Sequence, residues 1–137
     1  MKFPFLDLAL QYRAHKAEFD AALQGIIERS AFILGPEVDA FEKEFAAYVG
    51  AKHCIGVANG TAALELIFSG LKLGAGDEII TQPNSFIATA EAISRVGARP
   101  VFVDIESADG RGRPNLDPAK LEQALTPRTK AVVPVHL

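Results

Sequence analysis

The sequence predicts an α/β protein in which N-terminal helices are followed by alternating strands and helices of a mostly parallel sheet. From residue 53 onward, short apolar runs of strand length alternate with longer segments of helical periodicity. The short runs are continuously apolar, which is typical of parallel strands covered by helices on both faces. The chain has 137 residues, a length that suits one domain and not two.

The first fifty residues are predicted to be helical. A stripe of apolar side chains runs through residues 8–30 and indicates one amphipathic helix. A second helix is predicted after Gly35, which suits an N-cap, because Pro36 is favourable in a first helical turn. Gly50 is predicted to end this helix as a C-terminal cap residue.

Four strands and three helices are predicted in the remainder of the chain. The strands cover 53–58, 77–82, 99–106 and 130–137, and the helices between them cover 61–73, 85–96 and 117–125. Pro134 indicates that the last strand either lies away from the sheet centre or ends there. The Gly- and Arg-bearing stretch 107–115 is predicted to be an exposed connection. Since the chain stops at Leu137 in or just after an apolar strand, we expect it to be part of a longer protein.

Composition and charge argue against a nucleic-acid-binding, membrane-spanning, secreted or metal-binding protein. The net charge is −3 with acidic and basic residues interspersed, so a nucleic-acid partner gains no electrostatic support. No apolar run approaches the roughly 20 residues of a membrane helix, and Pro4 and Asp7 interrupt any signal-peptide core, so a cytoplasmic location is expected. The single cysteine, Cys54, is interpreted as a reduced core residue. Together with three scattered histidines it provides no metal-ligand spacing, so no metal site is expected.

The first candidate ligand site lies in "VANGTAALELIFSGL", where the predicted strand 53–58 leads into the helix 61–73. In a parallel α/β sheet, ligands bind beyond the carboxyl ends of the strands. The first N–H groups of a helix lack partners and carry partial positive charge. Gly60 lets the backbone approach a ligand and the Thr61 hydroxyl adds a donor, so the pair suits a phosphate group. In a simpler alternative, Thr61 is only the N-cap and Gly60 only a turn residue.

A second candidate lies in "TQPNSFIATAEAI", after the next predicted strand. Phe86 is expected just past the same sheet edge, where an aromatic ring can stack on a planar ligand, although a core position is the alternative. Together the two candidates favour a flat phosphorylated cofactor. The glycines of "GLKLGAGD" do not have the spacing of a dinucleotide-binding fingerprint, and no Gly-Lys-Ser/Thr follows Gly60, so neither a Rossmann nucleotide site nor a P-loop is indicated.

Two long stretches carry a family resemblance. The first is "FILGPEVDAFEKEFAAYVGAKHCIGVANGTAALELIFSGLKLGAGDEIITQPNSFIATAEAISRVGARPVFVDIE" and the second is "NLDPAKLEQALTPRTKAVVPVHL". Together they resemble the N-terminal part of the DegT/DnrJ/EryC1/StrS family over essentially the whole chain. The resemblance implies part of the large domain of fold-type-I pyridoxal 5′-phosphate (PLP) enzymes. Residues 1–137 would then be a partial PLP-binding large domain, without the remaining sheet and the small C-terminal domain.

The activity that the resemblance implies is amino-group transfer to a nucleotide-linked keto sugar. The amino donor would be an amino acid such as glutamate, and the product would serve cell-surface polysaccharide or secondary-metabolite sugar biosynthesis. The family resemblance also implies a homodimer. Two alternatives stay open: a PLP-dependent sugar dehydratase of the same family, in which histidine replaces the lysine, and a non-catalytic short chain that binds a ligand or a partner subunit.

The resemblance also implies roles for individual residues. Gly60, Thr61 and Ala62 match the segment that binds the PLP phosphate. Phe86 matches the aromatic residue stacked on the pyridine ring, and Thr89, one turn further on, is assigned to the same cofactor site.

Other matches concern the surroundings of this site and its chemistry. Residues 32–35 match a segment near the family's active site, and His136 matches a position near the ligand edge of the sheet. Asp104 and Glu91 are interpreted as structural. The Schiff-base lysine and the carboxylate on the pyridine nitrogen are expected beyond residue 137. No catalytic residue is therefore assigned, and the chain alone is expected to be inactive.

Overall fold

The computed structural model describes residues 4–106 and 114–136. The helices are α1 Leu8–Ala14, α2 Lys16–Glu28, α3 Pro36–Val49, α4 Gly60–Gly70, α5 Ala88–Arg95 and α6 Pro118–Ala124, and the strands are β1 Glu78–Thr81, β2 Arg99–Phe102 and β3 Thr129–Val133. Two compact units, Met1–Gly56 and Val57–Leu137, divide the chain. The connection predicted at 107–115 lies mostly outside the described residues.

The prediction of one helix over residues 8–30 is wrong, because the chain forms α1 and α2 with a break between them. At His15 the backbone leaves the helical region, with φ −118° and ψ 19°. Asp7 caps α1 by accepting a hydrogen bond of 3.0 Å from the Leu10 N–H. A break of one residue scarcely disturbs the apolar stripe, so periodicity does not reveal it.

The predicted helix after Gly35 is confirmed as α3. Gly50 follows it with φ 70°, a left-handed conformation that favours glycine. Gly35 is required for a different reason: a Cβ there would lie 2.9 Å from the Ala31 carbonyl oxygen. Both glycines can be recognised in the sequence because each borders an amphipathic pattern.

The prediction of a strand at residues 53–58 is wrong. This segment is not paired in the sheet of the described residues, which has three strands, and a strand requires a hydrogen-bonded neighbour. The Gly56 N–H instead donates to the Glu42 carboxylate at 2.6 Å. Ile55 is 79% exposed and Cys54 is half-buried, so the interpretation of Cys54 as a core residue is also wrong.

The predicted parallel sheet is confirmed in the second unit, with the strand order β2-β1-β3. The central strand β1 is buried along its whole length, which explains its continuous apolar run. The strand β3 lies at one side of this sheet and ends at Val133, directly before Pro134. This agrees with the interpretation of Pro134, but the predicted strand 130–137 was too long at its C-terminal end. The strand predicted over 99–106 ends at Phe102, and Ile105 forms an isolated antiparallel bridge with Leu116.

Two apolar clusters cover the two faces of β1. On one face, Ile79 packs with residues of α4 and α5, including Phe68 and Ile93. On the other face, Ile80 packs with Val103 and Leu116, against which side chains of α6 also lie. The result is a layer of helices on each side of a parallel sheet.

The helices α4 and α5 run in the same direction along the sheet. Because α5 connects the parallel strands β1 and β2, it runs from the carboxyl edge of the sheet, where the strands end, to the amino edge, where they begin. The segments that follow the two helices meet, since a Cβ on Gly97 would lie 3.5 Å from the Ala75 nitrogen. The first residues of α4 therefore point toward the carboxyl edge, as the candidate site requires.

Candidate functional site

The N-terminus of α4 has free backbone donors facing open space. Asn59 is the N-cap, since its Oδ1 accepts a 2.9 Å hydrogen bond from the Ala62 N–H, so the alternative in which Thr61 is the cap is wrong. The N–H groups of Gly60 and Thr61 have no acceptor in the described part of the chain. A Cβ on Gly60 would meet no atom within 4 Å. An anion can therefore approach both N–H groups.

A cleft of about 290 Å³ lies beside this helix end, and it is lined by Asn59, Thr61, Ala62, Glu65, Glu91 and Arg95. Arg95 Nη2 lies 2.6 Å from Glu91 Oε1, and Arg95 Nη1 lies 3.1 Å from Glu65 Oε1. The hydrogen bond from Arg95 to Glu91, and the negative charges of Glu91 and Glu65, raise the pKa of Arg95. These contacts favour the structural interpretation of Glu91, and they leave the helix N-terminus as the free source of positive potential.

Phe86 lies between β1 and α5, and it is 80% exposed. The alternative of a core position is therefore wrong. Thr89 is buried in the first turn of α5, and its N–H donates to the Phe86 carbonyl at 3.2 Å. The structure thus brings Thr61 and Ala62 into one cleft, but Phe86 and Thr89 do not line it.

Gln82 is a buried polar residue of this edge to which the sequence analysis assigned no role. Its side chain follows β1 directly and is 1% exposed. Gln82 Oε1 accepts hydrogen bonds from the N–H groups of Leu116 at 3.1 Å and Val135 at 3.2 Å. Gln82 Nε2 donates to Asn84 Oδ1 at 2.9 Å and to the Pro114 carbonyl at 3.2 Å. The sequence did contain a signal for this role, namely a glutamine at the end of a predicted buried strand. A carboxamide buried at such a position must be hydrogen-bonded within the protein.

Two further residues lie at the carboxyl edge. His136 is exposed and follows β3, at the edge where the resemblance places it. Asp104 follows β2, and its carboxylate accepts from Lys120 Nζ at 3.0 Å and from the Ile105 N–H at 2.9 Å. The Lys120 contact, then the Ile105 hydrogen bond, lowers the pKa of Asp104. These partners favour the structural interpretation of Asp104.

Residues 32–35 belong to the first unit and present an apolar surface of their own. Phe32, Ile33 and Leu34 are each at least two-thirds exposed. Leu34 has φ 48°, a left-handed conformation that is uncommon for a leucine.

Within residues 4–106 and 114–136, no group of three or more acidic, histidine or cysteine side chains is arranged to hold a metal ion. The same residues include no helix of the length and hydropathy that crossing a membrane requires.

The residues at the carboxyl edge fit a flat phosphorylated group. Two free N–H groups, the open space over Gly60 and the hydroxyl of Thr61 suit a phosphate. The exposed ring of Phe86 suits a planar heterocycle.

Known proteins with similar sequences and structures are sugar aminotransferases or their relatives. The chain is 47% identical over 133 residues to UDP-2-acetamido-2-deoxy-3-oxo-D-glucuronate aminotransferase of Pseudomonas aeruginosa, covering 97% of this chain and 36% of the relative. It matches the crystal structure of Streptomyces venezuelae DesV with a TM-score of 0.91 and 45% identity, over 98% of this chain and 35% of DesV. It also matches NtdA of Bacillus subtilis, crystallised with the bound cofactor PMP, with a TM-score of 0.89 and 33% identity, over 98% of this chain and 30% of NtdA. The chain spans about a third of the length of these relatives.

The sequence profile described as the DegT/DnrJ/EryC1/StrS aminotransferase family matches residues 13–137. The matched range includes α3, the start of α4 and all three strands. Both the family resemblance and the fold that it implied are therefore confirmed: this chain belongs to the DegT/DnrJ/EryC1/StrS aminotransferase family.

Proposed function

We propose that these residues form the phosphate- and ring-binding part of the PLP site of an aminotransferase. The complete protein would transfer an amino group from an amino acid such as glutamate to a nucleotide-linked keto sugar. The observation that carries this proposal is the N-terminus of α4, where two N–H groups have no acceptor among the described residues, a Cβ on Gly60 would meet no atom within 4 Å, and Thr61 lines a cleft. The cofactor PMP in the related NtdA structure and the keto-sugar name of the Pseudomonas relative support it.

Each residue at this edge has a distinct part in the proposal. Gly60 and Thr61 donate N–H groups to the phosphate, and the Thr61 hydroxyl donates a further hydrogen bond. Ala62 shapes the first turn but contributes no backbone donor, because its N–H is already bound to Asn59. Phe86 contacts the face of the pyridine ring. Thr89 does not contact the cofactor in this proposal. Its N–H donates to the Phe86 carbonyl and so helps to position Phe86.

When bound, PLP supplies an electron sink for proton movement at the carbon that carries the amino group. The residues of this chain bind and orient the cofactor. The lysine that moves the proton and the carboxylate on the pyridine nitrogen are proposed to lie in a part of the protein outside these 137 residues. Lys120 is not proposed for that role, because its ammonium group is bound to Asp104.

The proposal includes a homodimer in the cytoplasm as the working form of the complete protein. Light scattering on the protein made from its complete gene measures the assembly directly. A monomer that is fully active would contradict this part of the proposal without affecting the cofactor site.

The test of function is PLP binding by the protein made from the complete gene, with the bound PLP measured by its absorbance. Thr61→Ala is expected to raise the Kd for PLP about tenfold, because it removes one hydrogen bond to a charged group. Ser69→Ala is the matched control, since Ser69 is an exposed hydroxyl residue further along α4. It should leave the Kd unchanged.

The second part of the test is the reaction itself. Glutamate and a UDP-linked 3-keto sugar are incubated with the protein, and mass spectrometry identifies the sugar product. An aminated sugar supports the proposal, and a dehydrated sugar supports the dehydratase alternative. A complete protein that binds no PLP would refute both.

A further inference from the structure

The carboxamide of Gln82 uses its entire hydrogen-bonding capacity inside the protein. A carboxamide has two N–H donors and an oxygen that accepts two hydrogen bonds, and Gln82 makes two of each kind. Turning the amide by 180° would bring its NH₂ group against the N–H groups of Leu116 and Val135. The orientation of the amide is therefore determined by its partners.

These partners belong to three segments that are far apart in sequence. Asn84 lies in the connection 82–87 between β1 and α5. Pro114 and Leu116 precede α6, and Val135 follows β3. One buried side chain thus joins the three segments at the carboxyl edge of the sheet.

The connection 82–87 carries Phe86, and the Phe86 ring itself has little packing to hold it. The ring is 80% exposed, so its position depends on the backbone of the connection. That backbone is anchored to the neighbouring segments through Gln82 and through Asn84, whose Nδ2 donates to the Pro114 carbonyl at 3.2 Å. Ser85 makes only a local hydrogen bond, to the Phe86 carbonyl.

We propose that Gln82 is a positioning residue that anchors the connection 82–87 and thereby holds Phe86 ready for the cofactor ring. This inference rests on the proposed function, because it needs Phe86 to contact PLP. A ring held in place before binding loses less conformational freedom on binding, which strengthens affinity without a direct contact.

Two variants of Gln82 separate its two sets of hydrogen bonds. Gln82→Met has a similar length but no strong hydrogen-bonding group, so it removes all four bonds. Gln82→Glu keeps oxygen acceptors for Leu116 and Val135 but, when ionised, removes the donors to Asn84 and Pro114. If anchoring of the connection is what matters, both variants weaken cofactor binding, and Gln82→Glu lowers the Tm at least as much, because its buried carboxylate would face the oxygens of Asn84 and Pro114.

Thr81→Val is the matched control. Thr81 precedes Gln82, is 0% exposed, and donates its hydroxyl to the Val133 carbonyl at 2.9 Å. The control therefore removes a buried hydrogen bond between strands while leaving the connection 82–87 intact. It should lower the Tm with no change in cofactor binding.

The experiment uses the protein from the complete gene and three readouts. These are the Kd for PLP, the visible circular dichroism of bound PLP, and hydrogen exchange without cofactor of the Thr89 and Glu91 amides, which donate to the carbonyls of Phe86 and Ile87 in the connection. Gln82→Met is expected to raise the Kd about tenfold, since several buried polar groups lose their partners and the connection loosens. It should also reduce the dichroism and speed the exchange, whereas Thr81→Val changes none of the three.

The outcomes distinguish this inference from the proposed function. A parent protein that binds no PLP overturns the proposed function, and this inference with it. A parent protein that binds PLP, with the same Kd in Gln82→Met and Thr81→Val, overturns this inference alone. Unchanged exchange of the Thr89 and Glu91 amides in Gln82→Met would also overturn it, because the connection would then be anchored by other contacts.

Discussion

The two edges of the parallel sheet differ in whether any polar group is left without a partner. At the amino edge, the buried carboxylate of Glu78 is bound to Arg128 at 2.8 Å and lies 3.4 Å from Arg99. At the carboxyl edge, the N–H of Gly60 has no acceptor among the described residues, and the ring of Phe86 is exposed. The charged groups of the amino edge are paired with one another, while the carboxyl edge leaves backbone donors available to a ligand. A sheet can therefore be stabilised at one end while its other end remains free for binding.

The contacts of Glu78 with Arg99, Arg128 and Thr126, called the Glu78 lock below, join the beginnings of the three strands of this sheet. Glu78 begins β1 and Arg99 begins β2, while Thr126 and Arg128 directly precede β3. Thr126 donates its hydroxyl to Glu78 Oε2 at 2.6 Å. This hydrogen bond, followed by the charges of Arg128 and Arg99, outweighs the effect of burial and lowers the pKa of Glu78.

The largest effect is expected from Glu78→Ala. Removal of the Glu78 carboxylate leaves two guanidinium groups and a hydroxyl without their shared acceptor. It also leaves a gap at the start of the central strand. We expect the greatest fall in Tm of any variant described, measured by far-UV circular dichroism on the protein from the complete gene. The PLP affinity of the folded protein should not change, because the substitution lies at the opposite edge. Glu122→Ala, an exposed acid on α6, is the control, and an equal loss in both variants would contradict the proposed lock.

The pH dependence of stability provides a second test of the same lock. The pKa of Glu78 in the folded protein is below the ordinary value of 4.5. Its contribution to stability is therefore complete above that value and is lost as the pH falls through the lowered folded pKa. The difference in Tm between the parent and Glu78→Gln should shrink over that acidic range. A difference that grows on acidification would contradict the assignment.

A substitution at Gly60 tests the carboxyl edge. Unlike Glu78→Ala, it should weaken PLP binding and leave the Tm nearly unchanged. Gly60→Asp introduces a carboxylate where the phosphate is proposed to bind, and repulsion between like charges should raise the Kd for PLP about 100-fold. Stability should be unchanged or slightly higher, because a Cβ meets no atom within 4 Å and an acid favours a helix N-terminus. Titration with PLP and thermal unfolding measure the two effects.

Gly70→Asp is the matched control for this variant, since a Cβ on Gly70 also meets no atom within 4 Å. It lies at the other end of α4, so it should leave PLP affinity unchanged. Equal losses of affinity in both variants would show that charge in general, and not the proposed phosphate site, is responsible.

The smallest effect is expected from Asn59→Ala. Loss of the N-cap hydrogen bond to Ala62 should cost about 1 kcal/mol of unfolding free energy. Thermal unfolding of the complete protein measures this loss. If it equals the loss in Glu78→Ala, the contrast between the two edges would be wrong.

The sequence predicted the parts of the fold whose signals are local. The boundaries of α3 followed from Gly35, Pro36 and Gly50, and Pro134 indicated a possible end of β3 although the predicted strand continued to residue 137. The burial of β1 was readable because a strand covered on both faces must be apolar throughout.

The prediction failed where a residue's partner lies far away in the chain. The segment 53–58 has the composition of a strand, but the described residues offer it no pairing neighbour. The candidate site shows the same limit, because the open space over Gly60 is a property of the surrounding structure. One local choice also needed the structure, since Asn59 was as good a capping residue as Thr61 by residue type and only the hydrogen bond to Ala62 distinguished them.

By itself, the sequence determined the α/β class, the parallel order of alternating elements, the family and the region in which the cofactor is proposed to bind. These properties depend on periodicity, turn residues and motifs that lie within a few residues of one another. Only the tertiary structure decided that Glu78 joins the strand beginnings at one edge of the sheet and that Gln82 joins three segments at the other. Apart from Arg99 and Asn84, the partners of both side chains lie 32 to 53 residues away, and burial and pairing over such distances are settled only when the chain has folded.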